Sequence, residues 1–110
     1  MGNEVIVSKG GNIGRVTVNR PKQLNAMNSA TRNAIVKAFE QFGSDSDVRV
    51  IILAGAGEKS FIAGADLAEF AASGELNPAK MRNEWHMTEV AATCPTPIIA
   101  MIDGFCLGGG

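Results

Sequence analysis

Short apolar runs alternate with amphipathic stretches along the chain, and their spacing predicts strands and helices in turn. The β-branched runs Val5-Ile6-Val7 and Val16-Thr17-Val18 are joined by a connection that includes Lys9-Gly10-Gly11-Asn12. This arrangement is typical of a β-hairpin. Asn19-Arg20-Pro21 ends the second strand, because proline cannot donate to a sheet ladder.

A helix is predicted next, beginning after Asn28 as the N-cap and ending at Gly43. One face repeats apolar or small residues at helical spacing, and the opposite face is polar. The predicted inner face comprises Thr31, Ile35, Ala38, Phe39 and Phe42, and the predicted outer face comprises Arg32, Lys37, Glu40 and Gln41.

Further strands and helices follow in alternation. Val48 and residues 50–53 form a nearly continuous apolar run, which is typical of a strand covered on both faces, and Phe61-Ile62 predicts another extended piece. A second helix is predicted from Asp66, with Glu69 in a capping-box position, to Gly74. A third begins with Asn77 and Pro78 as N-cap and first helical residue, breaks at residues 94–97, and is followed by a strand to Ile102. The order predicts an α/β fold of the βαβ type.

Composition narrows the class of protein. The 110 residues are 45% hydrophobic and 19% charged, which fits one globular domain or part of one. The net charge is −1 without a basic run, so we expect no nucleic-acid binding. We expect no membrane partner either, because no apolar run is long enough to span a membrane. Cys94 and Cys106 lack metal-ligand spacing, so we expect no metal and buried, reduced thiols in the cytoplasm. No secretory signal or run of ~18 apolar residues is present.

Two small-residue turns are the candidates for chemistry. Ala63-Gly64-Ala65-Asp66 precedes a predicted helix, and Gly108-Gly109-Gly110 comes after a predicted strand. Glycine allows close approach of a ligand to backbone N–H groups, and a helix N-terminus favours an anion. If the turns converge, two N–H groups aimed at one point would form an oxyanion hole. Ordinary packing and capping is the competing interpretation. A glycine triplet is also a poor end for a folded domain, so the chain is expected to break off inside a functional site.

The sequence resembles the N-terminal part of the enoyl-CoA hydratase/isomerase (crotonase) superfamily over essentially all 110 residues. Four stretches in the right order and spacing carry the resemblance: residues 19–27 (NRPKQLNAM), 50–55 (VIILAG), 61–67 (FIAGADL) and 97–110 (PIIAMIDGFCLGGG).

The resemblance implies a crotonase-like spiral of ββα units, of which residues 1–110 are the N-terminal part of one domain. It implies binding of acyl-coenzyme A thioesters, with coenzyme A belonging to the substrate and no separate cofactor. The oxyanion N–H groups would be those of Ala65 and Gly109. The substrate-binding residues would be Lys22, Leu24, Ala63, Gly64, Ala65, Asp66, Leu67 and Gly109. Family members are commonly trimers or dimers of trimers, so a homotrimer or hexamer is expected.

The reaction stays open between several activities. The leading hypothesis is hydration of the 2,3 double bond. The nearest alternative is an enoyl-CoA isomerase or another enolate-stabilising CoA enzyme. A non-catalytic fragment that binds CoA or a partner is a further alternative. By the family pattern, the first hydratase glutamate would fall about two positions beyond Gly110 and the second further on, outside these residues. Asp66 is expected to act as an N-cap rather than as a catalytic group. His86 is expected to be a surface or packing residue rather than a general base.

Overall fold

The predicted hairpin forms one side of a four-stranded sheet in a computed structural model that describes residues 3–68 and 78–110. β1 (Val5–Gly10) pairs antiparallel with β2 (Ile13–Val18) through a turn in which Gly11 has a φ of 59°. β3 (Val50–Gly55) adds in parallel to β2, and β5 (Ile98–Met101) adds in parallel to β3. The sheet order is therefore β1-β2-β3-β5, a mixed sheet of the α/β class.

The first predicted helix is confirmed as α1 (Ser29–Gly43), and its N-cap is the predicted one. The Asn28 side chain accepts a hydrogen bond of 2.8 Å from the Thr31 N–H, which satisfies one of the free donors of the first turn. All five residues of the predicted inner face are buried.

The position predicted for Arg32 on the outer face is wrong. Arg32 is only 3% exposed, and its guanidinium donates to the Met27 carbonyl at 3.0 Å. A long helical side chain leans towards the helix N-terminus, so it can reach a carbonyl in the segment before the helix. Helical spacing alone does not reveal such a partner.

The core lies between α1, the sheet and α2 (Pro78–Thr93). Along β2, buried Gly14, Val16 and Val18 alternate with exposed Arg15 and half-buried Thr17, as the period of a strand requires. Val48 is buried but precedes β3 instead of belonging to it. The core cluster comprises Val16, Val18, Met27, Ile35, Ala38, Phe39, Phe42, Val48, Ile51, Phe61, Ile62 and Met87.

A second, two-stranded sheet carries the segments that matter for function. β4 (Ser60–Ile62), the predicted extended piece, pairs in parallel with β6 (Phe105–Cys106). β6 was not predicted, because two residues next to Gly104 show no strand periodicity. The expectation of buried thiols is also wrong: Cys106 is exposed and Cys94 only half-buried.

Some predictions fall on residues that are not described. Leu67 and Ala68 are helical, as expected after Asp66, whereas Glu69, Gly74 and Asn77 lie outside the described residues. The third helix begins at Pro78 as predicted. Within the described ranges, no helix combines the length and hydropathy that a membrane crossing needs.

Candidate functional site

The segment after β2 is held in an unusual backbone conformation by one buried amide. A short 3-10 helix spans Pro21–Gln23, and the two residues that follow, Leu24 and Asn25, have left-handed φ angles of 54° and 58°. Such angles cost about 1–2 kcal/mol for a residue with a side chain, so other contacts must compensate.

Asn25 supplies those contacts. It is fully buried, and its Oδ1 accepts from the Arg20 N–H at 2.9 Å. Its Nδ2 donates to the carbonyls of Ser60 at 2.8 Å and Ala56 at 3.0 Å. The Asn25 side chain thereby joins the segment after β2 to the segment between β3 and β4, and it leaves Leu24 exposed beside a cavity.

The segment after β4 is fixed against Met27 by two backbone hydrogen bonds. The Met27 N–H donates to the Gly64 carbonyl at 2.7 Å, and the Asp66 N–H donates to the Met27 carbonyl at 2.9 Å. Ala65 thus forms an isolated parallel bridge with Met27. A trans peptide is planar, so the Ala65 N–H points opposite to the Gly64 carbonyl and therefore away from Met27.

The two small-residue turns meet at Gly64. Its φ is 94°, and a Cβ placed there would lie 3.2 Å from the Leu107 carbonyl oxygen and 3.8 Å from the Gly109 nitrogen. A side chain at this position would strain the backbone and crowd the neighbouring segment. The close approach of residues 63–66 to residues 107–109, which the sequence analysis gave only as a condition, is therefore present.

The glycine triplet follows β6, and not β5 as the sequence order suggested. The Leu107 N–H donates to the Ile62 carbonyl at 3.1 Å, and the Gly110 N–H donates to the Leu107 carbonyl at 2.9 Å. Gly108, with a φ of 54°, lies in the resulting turn with Gly109. A helix opening at the triplet stays a prediction.

The amides of Ala65 and Gly109 share a property that suits anion binding. Within residues 3–68 and 78–110, no acceptor takes a hydrogen bond from either N–H group. Backbone donors are normally satisfied unless they face solvent or a ligand. These two donors are therefore available to an external acceptor, although their pairing as an oxyanion hole stays a prediction.

A largely buried ion pair includes Asp66, the residue that follows Ala65. Arg20 Nη2 and Asp66 Oδ2 are 2.7 Å apart, with side chains 12% and 10% exposed. Arg20 Nη1 also donates to the Ala26 carbonyl at 2.6 Å, and Asp66 Oδ1 accepts from the Ala68 N–H at 2.8 Å. The expected capping bond of Asp66 is formed, and its other oxygen is bound to Arg20.

Most of the predicted binding residues lie around one open cavity of about 490 Å³. Six of them line it: Lys22, Leu24, Ala63, Ala65, Asp66 and Leu67. Gly64 is buried, and Gly109 is not part of this lining. Lys22 also borders a second cavity of about 460 Å³, shared with residues 56–60.

Three residues that support the site, Arg20, Asn25 and Ser60, were not among the predicted site residues. Arg20 and Asn25 lie in the stretch of residues 19–27, and Ser60 begins β4. The Ser60 hydroxyl donates to the Leu24 carbonyl at 2.6 Å. The polar Asn25 between apolar neighbours was the available signal, because Asn tolerates the left-handed conformation better than most residues.

No metal site accompanies these residues in the described ranges, which contain no group of three or more His, Cys, Asp or Glu side chains able to hold an ion. His86 is exposed on α2 and does not line the cavity beside Ala65.

Comparisons with known proteins agree with the fold and with the stretches described. Residues 13–110 match the enoyl-CoA hydratase/isomerase family. The short-chain-enoyl-CoA hydratase of Clostridium acetobutylicum is 40% identical over 112 residues, covering 98% of this chain and 42% of that protein. The mitochondrial 3-hydroxyisobutyryl-CoA hydrolase of Danio rerio is 35% identical, covering 99% of this chain and 30% of that protein.

Among solved structures, the enoyl-CoA hydratase from Bacillus anthracis superposes with a TM-score of 0.87 at 33% identity. The match covers 97% of this chain and 42% of that structure. The chain thus spans less than half the length of these relatives.

Proposed function

The chain belongs to the enoyl-CoA hydratase/isomerase family, and from that premise we propose that the complete protein hydrates the 2,3 double bond of an acyl-CoA thioester. The observation that carries the proposal is the pair of unengaged amides, Ala65 and Gly109, on two segments that meet at Gly64.

The proposed chemistry uses these amides on the thioester oxygen. When the oxygen of water adds to C3, the electron pair of the double bond shifts towards the thioester, and negative charge grows on its oxygen. Donors held in place before the reaction stabilise that charge more than they stabilise the neutral substrate, so they lower the barrier. The attacking water loses one proton as its oxygen bonds to C3, and C2 gains one proton as the electron pair returns to it. The two proton transfers balance, and one molecule of water has been added.

The cavity supports binding of the coenzyme A part of the substrate. Its lining is largely apolar and includes Lys22, whose charge would meet a phosphate. It also includes Leu24, Ala63, Ala65, Asp66 and Leu67, which would contact the pantetheine arm. We assign these contacts to Lys22, Leu24 and residues 63–67 as part of the proposal. The complete protein is further proposed to self-associate as a trimer or hexamer in the cytoplasm, without a metal or separate cofactor.

The test is turnover of crotonyl-CoA by the complete protein, followed by loss of the conjugated enoyl absorbance and by product mass. A product heavier by one water supports hydration. Release of free thiol would instead indicate hydrolysis, the activity for which the Danio rerio relative is named. An isomer of unchanged mass would indicate an isomerase, and thioester binding without any product would favour a binding module. Each of these three outcomes contradicts the proposal.

A further inference from the structure

The Arg20 guanidinium is joined to the Ala65 amide by a continuous line of hydrogen bonds through two peptide groups. Arg20 Nη1 donates to the Ala26 carbonyl at 2.6 Å. The Ala26 carbonyl and the Met27 N–H belong to one peptide, and that N–H donates to the Gly64 carbonyl at 2.7 Å. The Gly64 carbonyl and the Ala65 N–H belong to the next peptide, whose N–H has no acceptor in the described residues.

A continuous line of hydrogen bonds of this kind makes its last N–H group, here that of Ala65, a stronger donor. A cation bound to a carbonyl draws electron density from the peptide and makes its N–H a better donor, and the effect passes to the next peptide. Each step is estimated to strengthen the following bond by about 10–30%. The two donor–acceptor distances, 2.6 and 2.7 Å, lie at the short end for N–H donors.

Burial keeps this effect from being lost to water. The Arg20 side chain is 12% exposed and Met27 is buried, so solvent screens the line poorly. Asp66 holds the guanidinium in place through Nη2 while Nη1 faces Ala26. The ion pair therefore fixes the direction of the charge as well as offsetting the cost of burying it.

We propose that Arg20 is a positioning residue that aims and polarises the Ala65 N–H through the peptides 26–27 and 64–65. The inference rests on the proposed function, because it gives that N–H a thioester oxygen to bind. It adds a role for a side chain that does not line the cavity.

Arg32 provides a matched comparison. It is also a buried arginine, and it donates to the neighbouring Met27 carbonyl at 3.0 Å. That carbonyl belongs to the peptide 27–28, which is not part of the line to Ala65. Replacing Arg32 should lower stability without weakening the Ala65 donor.

The experiment measures the carbonyl stretching frequency of carbonyl-labelled crotonyl-CoA bound to the complete protein, by infrared difference spectroscopy, together with kcat and KM. Wild type should lower the frequency relative to free ligand. Arg20→Gln should lose a measurable part of that shift and lower kcat by about tenfold, less than the ~10²–10³ expected for losing a whole donor. KM should change less than about threefold, because ground-state contacts along the cavity remain.

Three further variants and a fold check show whether a loss of the carbonyl shift is specific to Arg20. Arg32→Gln should keep the wild-type frequency, and so should Arg15→Gln, which removes an exposed guanidinium on β2. Arg20→Lys keeps the positive charge and should give an intermediate frequency; it carries the test if Arg20→Gln is not recovered folded by circular dichroism.

The outcomes separate the two proposals. A wild-type protein that binds crotonyl-CoA without a carbonyl shift overturns the proposed function and this inference with it. A wild-type shift that folded Arg20→Gln or Arg20→Lys retains in full overturns the inference alone, even if turnover falls. An equal loss of shift in Arg32→Gln would also overturn it, since general disturbance of the segment would then explain both.

Discussion

Gly109 combines an unengaged amide with room for a methyl group, so the two properties can be separated by mutation. A Cβ at this position would lie 3.6 Å from Met27 Cε, an ordinary contact, and the φ angle is not in the left-handed region. Alanine should therefore be accommodated and keep the N–H. Proline would remove it without breaking any hydrogen bond that Gly109 donates within the described residues.

We expect Gly109→Pro in the complete protein to lower kcat for crotonyl-CoA by ~10²–10³, as removal of one oxyanion donor does elsewhere. Gly109→Ala should stay within a few-fold of wild type. Steady-state kinetics on both variants, with circular dichroism as a fold check, make the comparison. Equal losses in the two variants would show that bulk, and not the missing N–H, is responsible.

At the same scale, residue roles that depend on nearby positions could be predicted from the sequence, whereas roles that depend on a partner far along the chain could not. Asn28 was predicted as an N-cap because its acceptor role depends only on the next three residues. Arg20 and Asp66 form an ion pair between two segments that are far apart in the sequence, and no local pattern predicts this contact. Asn25 reaches Ser60 in the same way. Long-range polar contacts need the tertiary fold before they can be recognised.

At the scale of elements, β2 and α1 meet through a glycine that a larger residue would displace. A Cβ at Gly14 would come within 2.6 Å of the Phe42 ring. The ring occupies the space that a side chain on β2 would otherwise fill. This explains why β2 has a glycine at a buried position where strands usually have branched residues.

Gly14→Ala should therefore reduce the free energy of unfolding by about 1–3 kcal/mol through overpacking. Gly10→Ala on β1 is the matched control, because a Cβ there meets nothing within 4 Å. Phe42→Leu alone and Phe42→Leu combined with Gly14→Ala complete a double-mutant cycle, in which the combined variant should recover part of the loss through a coupling of about 1 kcal/mol. Urea unfolding of the complete protein measures all four; strictly additive effects would contradict the proposed contact.

Element prediction succeeded where periodicity was strong. The hairpin, α1, β3 and β5 follow from alternation, helical spacing and proline breaks, and the structure contains each of them. β6 could not be predicted, because its two residues form a strand by pairing with β4, which is remote in the sequence. The candidate site depends on that pairing, so its location in the chain was predictable but its assembly was not.

For the molecule as a whole, several large apolar side chains of β5 and the segment after it are exposed. Ile98 packs against the core, so the alternation along β5 turns Ile99 and Met101 to the opposite side. Ile102, Phe105 and Leu107 follow along the chain, and all five side chains are more than half exposed. Apolar surfaces of this kind mark contact regions in soluble proteins.

A polypeptide of these 110 residues alone should accordingly bind the dye ANS and self-associate with rising concentration. Met101→Ser combined with Ile102→Ser should reduce both effects, whereas Val36→Ser on α1, which packs partly against the core, should not. Dye fluorescence and light scattering provide the measurement. Unchanged dye binding in the double variant would contradict the prediction, because it would show that the dye binds an apolar surface elsewhere on the polypeptide.

The parallel pairing of β4 with β6 has a kinetic consequence. Ser60 and Phe105 are 45 positions apart, yet the Ser60 hydroxyl lies 3.3 Å from the Phe105 carbonyl. Closing so long a loop is slow compared with forming the hairpin or α1, because the chain loses entropy before the contact rewards it. During synthesis, Ala65 emerges well before Gly109, so the nascent protein carries only one of the two candidate donor amides until β6 docks. The site is thus among the last features to mature, and its completion reports that the long-range fold has formed.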